Sequence, residues 1–327
     1  MPESLVFEVL IIGGSFSGLS AAVTLARQLH TVAIFDSGSY RNARSKHIHV
    51  MPTWDHKDPE EFRAAARLDL ERYDTIQLHR VEIMKISKNA DGLFEATDHN
   101  DRQWLGRKVI LASGVQENYP DVRGYEECWA RGIYHCLFCH GYEQRGAESA
   151  GVLALDWTAS AKMATHMARM ASSLASIVTI YTNGDKQLAT EVAAAVEGAQ
   201  QYRVDDRAIS LLSFNADSNE KVTINFEDGS KKKNEAFVAH APRTTVKGPF
   251  AEMLGLELTP MGDYAVSPPF NATSVEGVFA AGDCATMLKV STNAVASGSI
   301  TGAGVSAQLH EEKVRMKSTS SNTNRSP

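Results

Sequence analysis

Four cysteines in 327 residues, Cys128, Cys136, Cys139 and Cys284, are too few to staple a chain of this length, which excludes a disulfide scaffold. No apolar run approaches the ~20 residues that a membrane helix needs. The N-terminus, MPESLVFEVLIIGG, has no basic segment ahead of a cleavable apolar one. Positive charge is not in surplus: 33 Lys and Arg stand against 39 Asp and Glu, a net charge of −6. That balance argues against non-specific binding to nucleic acid or an anionic membrane. The one compact basic run, Lys231 to Lys233, follows EDGS and reads as a solvated hairpin tip. The last residues, KSTSSNTNRSP, read as a disordered tail with no lipidation or peroxisomal ending. Together these absences lead to the expectation of a cytoplasmic protein.

What is present is an ordinary globular composition, 43% hydrophobic and 22% charged, in a chain long enough for two domains. The first forty residues carry the clearest pattern. An apolar strand, FEVLIIGG, leads through the small-residue turn GGSFSG into an amphipathic helix expected from Leu19 to Leu29, and then into the strand TVAIFD. This is the opening β-α-β of a dinucleotide-binding fold, whose parallel strands read as continuous apolar runs. Gly13 permits the tight turn, Gly18 lets helix and strand pack closely, and the helix N-terminus offers N–H groups to a pyrophosphate. Asp36 is placed to accept hydrogen bonds from a ribose. The middle position of G-x-G-x-x-G is Ser15, small enough for close backbone approach and able to offer a hydroxyl to a phosphate.

Further on, VEIMKISK and LFEATDHN are joined by NADG, a hairpin turn. RKVILASG, Arg107 to Gly114, is a buried strand that returns to the sheet. The character then changes, and a smaller α/β domain is expected as an insertion. The expected boundaries are 1–117 and 244–312 for the nucleotide domain, 118–243 for the insertion and 313–327 for the tail. GVFAAGDCA near the C-terminus is an apolar strand followed by a small-residue helix from about Asn293 to Leu309, whose Ala, Ser and Gly would let it press against a flat cofactor.

The insertion contains CLFCHGYE, Cys136 to Glu143. A C-x-x-C serves as half a zinc site, as a structural disulfide or as a redox dithiol. A structural zinc needs four ligands, there is no second C-x-x-C, and none of the 11 histidines has finger spacing. The reading therefore favours a redox pair and expects no metal.

These three features together resemble the low-molecular-weight thioredoxin reductase flavoproteins. GGSFSGLSAA, DSGSYRN and CLFCHGYE resemble more closely a branch of dithiol oxidases that close disulfides in small secondary metabolites, such as the gliotoxin and holomycin oxidases. The resemblance implies a two-domain pyridine-nucleotide-disulfide-oxidoreductase-like α/β fold, FAD and a homodimer. It implies that Gly13, Gly14, Ser15, Phe16, Ser17 and Gly18 contact the pyrophosphate. Asp36 and Ser37 would serve the ribose, Arg41 the adenosine half, and Ala112, Gly114 and Asp283 the rest of the cofactor. Val290 and Ser291 would approach the flavin ring, with His49 of KHIHV as a further contact.

A reductase also needs a second glycine-rich turn for NADPH. Here GVLALD runs on into WTASAKMA, so Asp156 and Trp157 stand where glycines belong, and TNGDKQ offers Lys186 alone to a 2′-phosphate. NADPH binding is therefore expected to be lost, with electrons entering from a small-molecule dithiol such as a dithiol diketopiperazine and leaving to O2 as hydrogen peroxide. In this reading a substrate thiolate attacks Cys136 and the second substrate thiolate closes the ring, and the resemblance implies that Cys139 lies nearer the flavin. His140 acts as acid and base. Cys128 and Cys284 are expected to be inert. The alternatives are a thioredoxin reductase with an atypical NADPH site and a non-enzymatic redox sensor.

Overall fold

A computed structural model describes the backbone of residues 5–219 and 221–323, and side chains up to residue 315. The chain divides into two compact units, one formed by residues up to Gln116 together with those from Thr245 onward, the other by Glu117–Thr244.

The first unit opens with β1 (Val6–Ile12), α1 (Phe16–Ala26), β2 (Val32–Phe35), α2 (Pro59–Leu70), β3 (Ile76–His79), β4 (Ile83–Lys88), β5 (Phe94–Asp98) and β6 (Gln103–Leu111). The sheet order is β3-β2-β1-β6-β5-β4. β1 runs parallel to β2 with Val9 opposite Val32, and parallel to β6 with Ile12 opposite Leu111. Val9, Leu10 and Ile11 have no exposed surface, because helices or strands cover both faces of a parallel strand. The NADG hairpin forms as expected, with β4 antiparallel to β5 and Gly92 at φ 79°. Helix α1 starts earlier than the hydrophobic pattern suggests. It ends at Ala26, and Leu29 lies beyond it, 77% exposed in the left-handed region.

The second unit begins within β7 (Val115–Asn118). It continues through α3 (Tyr125–Cys128), β8 (Ile133–Tyr134), α4 (Leu137–His140), β9 (Ala147–Leu153), α5 (Ala161–Ala171), β10 (Ala175–Tyr181), α6 (Lys186–Ala195) and β11 (Tyr202–Asp205). Then come β12 (Ile209–Phe214), β13 (Val222–Phe226), β14 (Lys233–Glu235), β15 (Val238–Ala239) and β16 (Arg243–Val246). A parallel sheet in the order β11-β10-β9-β15-β8 is accompanied by an antiparallel one in the order β12-β13-β14. Its core packs Val152, Val178, Ile180 and Phe237 against the alanine face of α5.

The chain then adds α7 (Phe250–Leu254), β17 (Val278–Ala280) and α8 (Ser291–Thr323). β17 pairs with β6, Ala280 opposite Leu111, and completes the first unit's sheet. Helix α8 is longer than expected: residues 313–323 are helical where the sequence suggests a disordered tail, and 324–327 lie outside the described residues. Its small residues serve a helix crossing. A Cβ added at Gly298 would stand 2.1 Å from the Ser17 carbonyl oxygen, and one at Gly302 2.8 Å from that of Ala21.

Candidate active site

The glycine turn after β1 is built for close approach. Gly13 sits at φ 122°, and a Cβ there would meet the Ala112 carbonyl oxygen at 2.1 Å; one at Gly14 would meet the Asp36 Cβ at 2.4 Å. Gly18 lies so near the turn that its Cβ would be 1.9 Å from the Gly13 carbonyl oxygen. Ser15 occupies the N-cap position of α1 in an extended conformation, yet makes no side-chain cap, and no acidic residue stands in the first turn. The positive end of the helix is thus left for an anion.

Asp36 directly follows β2 and is buried. Its Oδ1 accepts the Gly38 N–H at 3.0 Å, and its Oδ2 accepts from the Tyr40 hydroxyl at 2.8 Å and Arg67 at 3.2 Å. Burial, reinforced by the hydrogen bond to Asp36, pushes Tyr40 up to about 12. A carboxylate oxygen has two lone pairs, so Oδ1 retains capacity for a ribose hydroxyl. Arg67 escapes sequence reading because no motif links Asp36 to a helix 31 residues away.

Residues far apart in sequence meet around this turn. Arg41 donates to Asp283 Oδ2 at 2.9 Å across 242 positions. Gly282, at φ 79°, donates its N–H to Ser297 Oγ, and a Cβ on it would strike Ser17 Oγ at 2.5 Å. Gly114 is at φ 73° and Ala112 is buried beside the turn. Val290 accepts the Ala294 N–H, and Ser291 opens α8. Ser37 is exposed and its Oγ accepts the Ser39 N–H at 3.4 Å. His49 does not lie in the glycine turn; its Nδ1 is 3.2 Å from Asp55 Oδ1. A turn that only glycines fit, an uncapped helix and an acid at the end of β2 suit the pyrophosphate and ribose of FAD.

In the second unit Cys136 and Cys139 form a disulfide, S–S 2.07 Å. Cys136 caps α4, and its Sγ accepts the Cys139 N–H at 3.1 Å. Hydrogen bonding of this kind favours the thiolate form of a sulfur. His140 is partly buried and its ring stacks on Tyr134, centroids 5.3 Å apart. His135, on the other side of the pair, stacks on Trp129 at 5.5 Å. Phe138 and Tyr142 are 72% and 61% exposed. Cys128 and Cys284 are buried free thiols, and burial pushes them up to about 11 and about 12.

The turn after β9 contrasts with the turn after β1. Asp156 takes the left-handed conformation a glycine would occupy, φ 47°. The Arg243 guanidinium lies 5.6 Å from the Trp157 ring centre, and its Nε is 3.6 Å from Asp156 Oδ1. Ser160 caps α5 through the Met163 N–H, and Thr158 Oγ1 accepts the Ala241 N–H at 3.4 Å. Burial raises the Asp156 carboxyl above its usual range.

A dinucleotide-type unit holding an open anion turn and a second α/β unit carrying a C-x-x-C disulfide define a flavin-dependent disulfide oxidoreductase. The profile of the pyridine nucleotide-disulphide oxidoreductases matches residues 7–298. Similar proteins include thioredoxin reductase aclD of Aspergillus oryzae, 44% identical over 94% of this chain and 98% of the relative. Another is thioredoxin reductase sirT of Leptosphaeria maculans, 43% identical over 93% and 94%. Among solved structures, an oxidoreductase from Agrobacterium tumefaciens superposes with a TM-score of 0.81 at 28% identity, covering 93% of this chain and 99% of that one. HlmI shares the fold, TM-score 0.87 at 24% identity over 98% of each chain. The chain belongs to the pyridine nucleotide-disulphide oxidoreductase family and is an FAD-dependent disulfide oxidoreductase of the thioredoxin reductase-like kind. Among the described residues no helix is long and apolar enough to cross a membrane.

Proposed function

We propose that the protein oxidises a small-molecule dithiol to an intramolecular disulfide, with O2 as the terminal acceptor and hydrogen peroxide as product, and that it works as a homodimer without NADPH. The observation that carries this reading is the filled turn after β9. Asp156, Trp157 and the Ser160 cap fill the turn that leads from β9 into α5, where a dinucleotide-binding unit has its glycine-rich turn, while the turn after β1 is open. With no entry for hydride, electrons come from the thiol side. A dithiol diketopiperazine is the favoured substrate, because its two thiols are held close enough to close on each other.

One substrate thiolate attacks Cys136 Sγ, the S–S bond breaks, and Cys139 leaves as a thiolate. The second substrate thiolate attacks the substrate sulfur of the mixed disulfide and expels Cys136. The Cys139 N–H that bonds Cys136 Sγ favours this departure, since a stabilised thiolate leaves faster. The substrate is thereby oxidised by two electrons and the cysteine pair reduced by two. His140 takes the proton from the substrate thiol and returns it to a leaving sulfur. Bound FAD supplies the acceptor that takes the electron pair from the dithiol and passes it to O2.

An anaerobic titration of the yellow protein tests the reading. A small dithiol should bleach the flavin and air should restore it with peroxide, whereas NADPH should leave it coloured. Rapid bleaching by NADPH would make the protein a reductase instead; tight FAD without turnover of any dithiol would make it a sensor.

A further inference from the structure

Lys247 belongs to no sequence motif, yet it ties together the two segments that wall the glycine turn. β1 lies between β2 and β6 and runs parallel to both, so the three strands end on one edge. In an open α/β sheet the ligand binds outside the carboxyl ends of the strands. On that edge the turn has Asp36 on one side and Ala112 on the other, each near enough to meet a Cβ added at Gly14 or Gly13.

The backbone of Lys247, in the same unit, is anchored on the β6 side. Its N–H donates to the Gly114 carbonyl at 3.0 Å, and its carbonyl accepts from the Ser113 hydroxyl at 3.0 Å. The side chain ends on the β2 side, where Nζ donates to the Ser39 carbonyl oxygen at 3.0 Å and to Ser39 Oγ at 3.1 Å. Neighbouring strands stand about 4.8 Å apart, so a bridge from the end of β6 to the end of β2 covers about 10 Å and crosses the end of β1. The end of β1 is the glycine turn. Lys247 is half-buried and Ser39 exposed, which puts this strap on the solvent side. A lysine so placed lays its apolar stem over what lies beneath and keeps its charged head at the surface.

Charge points the same way. The glycine turn and α1 contain no Lys or Arg. Arg41 pairs with Asp283 at 2.9 Å, and Arg67 with Asp36 and Glu60 at 3.2 and 2.7 Å. A helix N-terminus offers only about half a unit charge, and a diphosphate brings more negative charge than that. The Lys247 ammonium is a compact full charge on a flexible stem, on the side from which the turn is open. We propose that Lys247 is an FAD-binding residue: its stem covers the glycine turn and its ammonium pairs with the diphosphate of the cofactor. The inference rests on the glycine turn as the FAD site.

The test follows FAD release from the purified flavoprotein after dilution, by the change in flavin fluorescence. Lys247→Met keeps the stem and both backbone anchors and removes the charge, so FAD should leave about tenfold faster or more. Lys247→Arg keeps the charge and should release FAD near the native rate. High salt should speed release from the native protein more than from Lys247→Met, because screening acts on the charge that the variant lacks. Release from Lys247→Met at the native rate overturns the proposal. Faster release with the native salt dependence overturns it too, by making the side chain a clamp between two loops without a role toward the diphosphate. Asp36→Asn separates this failure from that of the site itself. If Asp36→Asn loosens FAD and Lys247→Met does not, only the strap is lost; if both hold FAD as the native protein does, the cofactor does not sit in the glycine turn.

Discussion

Ser160 Oγ accepts the Met163 N–H at 3.2 Å, whereas Ser15, in the equivalent place ahead of α1, makes no such bond. One helix N-terminus is closed by its own side chain and the other is open. Removing a serine N-cap costs about 1 kcal/mol, so Ser160→Ala should lower stability by that amount in urea denaturation. Opening the turn itself requires more. Asp156→Gly, Trp157→Ala and Ser160→Gly combined should let NADPH register in equilibrium dialysis where the native protein shows no retention. Equal retention by the native protein would remove the basis for an NADPH-independent cycle.

The cysteines should separate cleanly in a labelling experiment. The thiolate is the reactive form, and burial holds Cys128 and Cys284 up to about 11 and about 12. Cys284 also donates to the Leu111 and Ala281 carbonyls at 3.4 and 3.3 Å. Native oxidised protein near neutral pH should therefore take up no iodoacetamide. Brief reduction by a small dithiol under anaerobic conditions should add label at Cys136 and Cys139, as read by peptide mass spectrometry. Label at Cys284 before reduction would contradict its placement. Cys284→Ser should retain flavin and dithiol turnover within a few-fold, and loss of turnover in that variant would mean that the thiol takes part in the reaction.

The nucleotide half was readable because its chemistry is local. Gly13, Gly18 and Asp36 lie within one β-α-β unit, where spacing alone fixes the turn, the helix start and the strand end. The same locality made Asp156 and Trp157 stand out as departures. Arg67 and Ser297 were not legible, since each joins the site through a hydrogen bond to a residue well away in sequence, and Tyr40, four residues from Asp36, lies in a loop where no periodicity marks its side chain. The length of α8 was also hidden: its polar end looks disordered by composition, yet Lys313 on it pairs with Glu8 at 2.7 Å. The small residues of that helix suggested a flat cofactor, but Gly298 and Gly302 answer to the backbone of α1.

That crossing yields a mutational prediction. A methyl at Gly298 would lie 2.1 Å from the Ser17 carbonyl oxygen, a backbone atom that cannot rotate away. Overpacking of this kind costs about 1–3 kcal/mol, and here the displaced segment is the glycine turn proposed to hold FAD. Gly298→Ala should lower the melting temperature and also the ratio of flavin to protein absorbance. Gly302→Ala, whose nearest contact is 2.8 Å, should be milder in both. Full flavin occupancy and native stability in Gly298→Ala would show that α1 and α8 are less tightly apposed.

His240 gives the protein an acid limit. The imidazole has no exposed surface, its Nδ1 is 2.7 Å from the Tyr125 hydroxyl, and its Nε2 is 3.3 Å from the Leu155 carbonyl oxygen. Burial lifts Tyr125 well above the usual tyrosine range, so the phenol is the donor to Nδ1, and Nε2 carries the proton toward Leu155. Desolvation drives the His240 pKa down to about 4, against a partial opposing pull from the Leu155 hydrogen bond. An unfolded histidine titrates near 6.5, so below that pH the unfolded chain binds a proton that the folded one does not. Stability is thus fully present above about pH 6.5 and is lost as pH falls toward about 4, by about 2 kcal/mol at pH 5. Denaturant titrations at pH 7 and about pH 5 should show this loss, and His240→Gln, which cannot titrate, should show a correspondingly smaller one. In the wild type the ring should remain neutral by nitrogen-15 NMR down to about pH 5. The Asp156 carboxylate already stands 3.9 Å from Nε2, so a ring that protonates near 6.5 in the folded protein would mean that this counter-charge, or water, outweighs the desolvation.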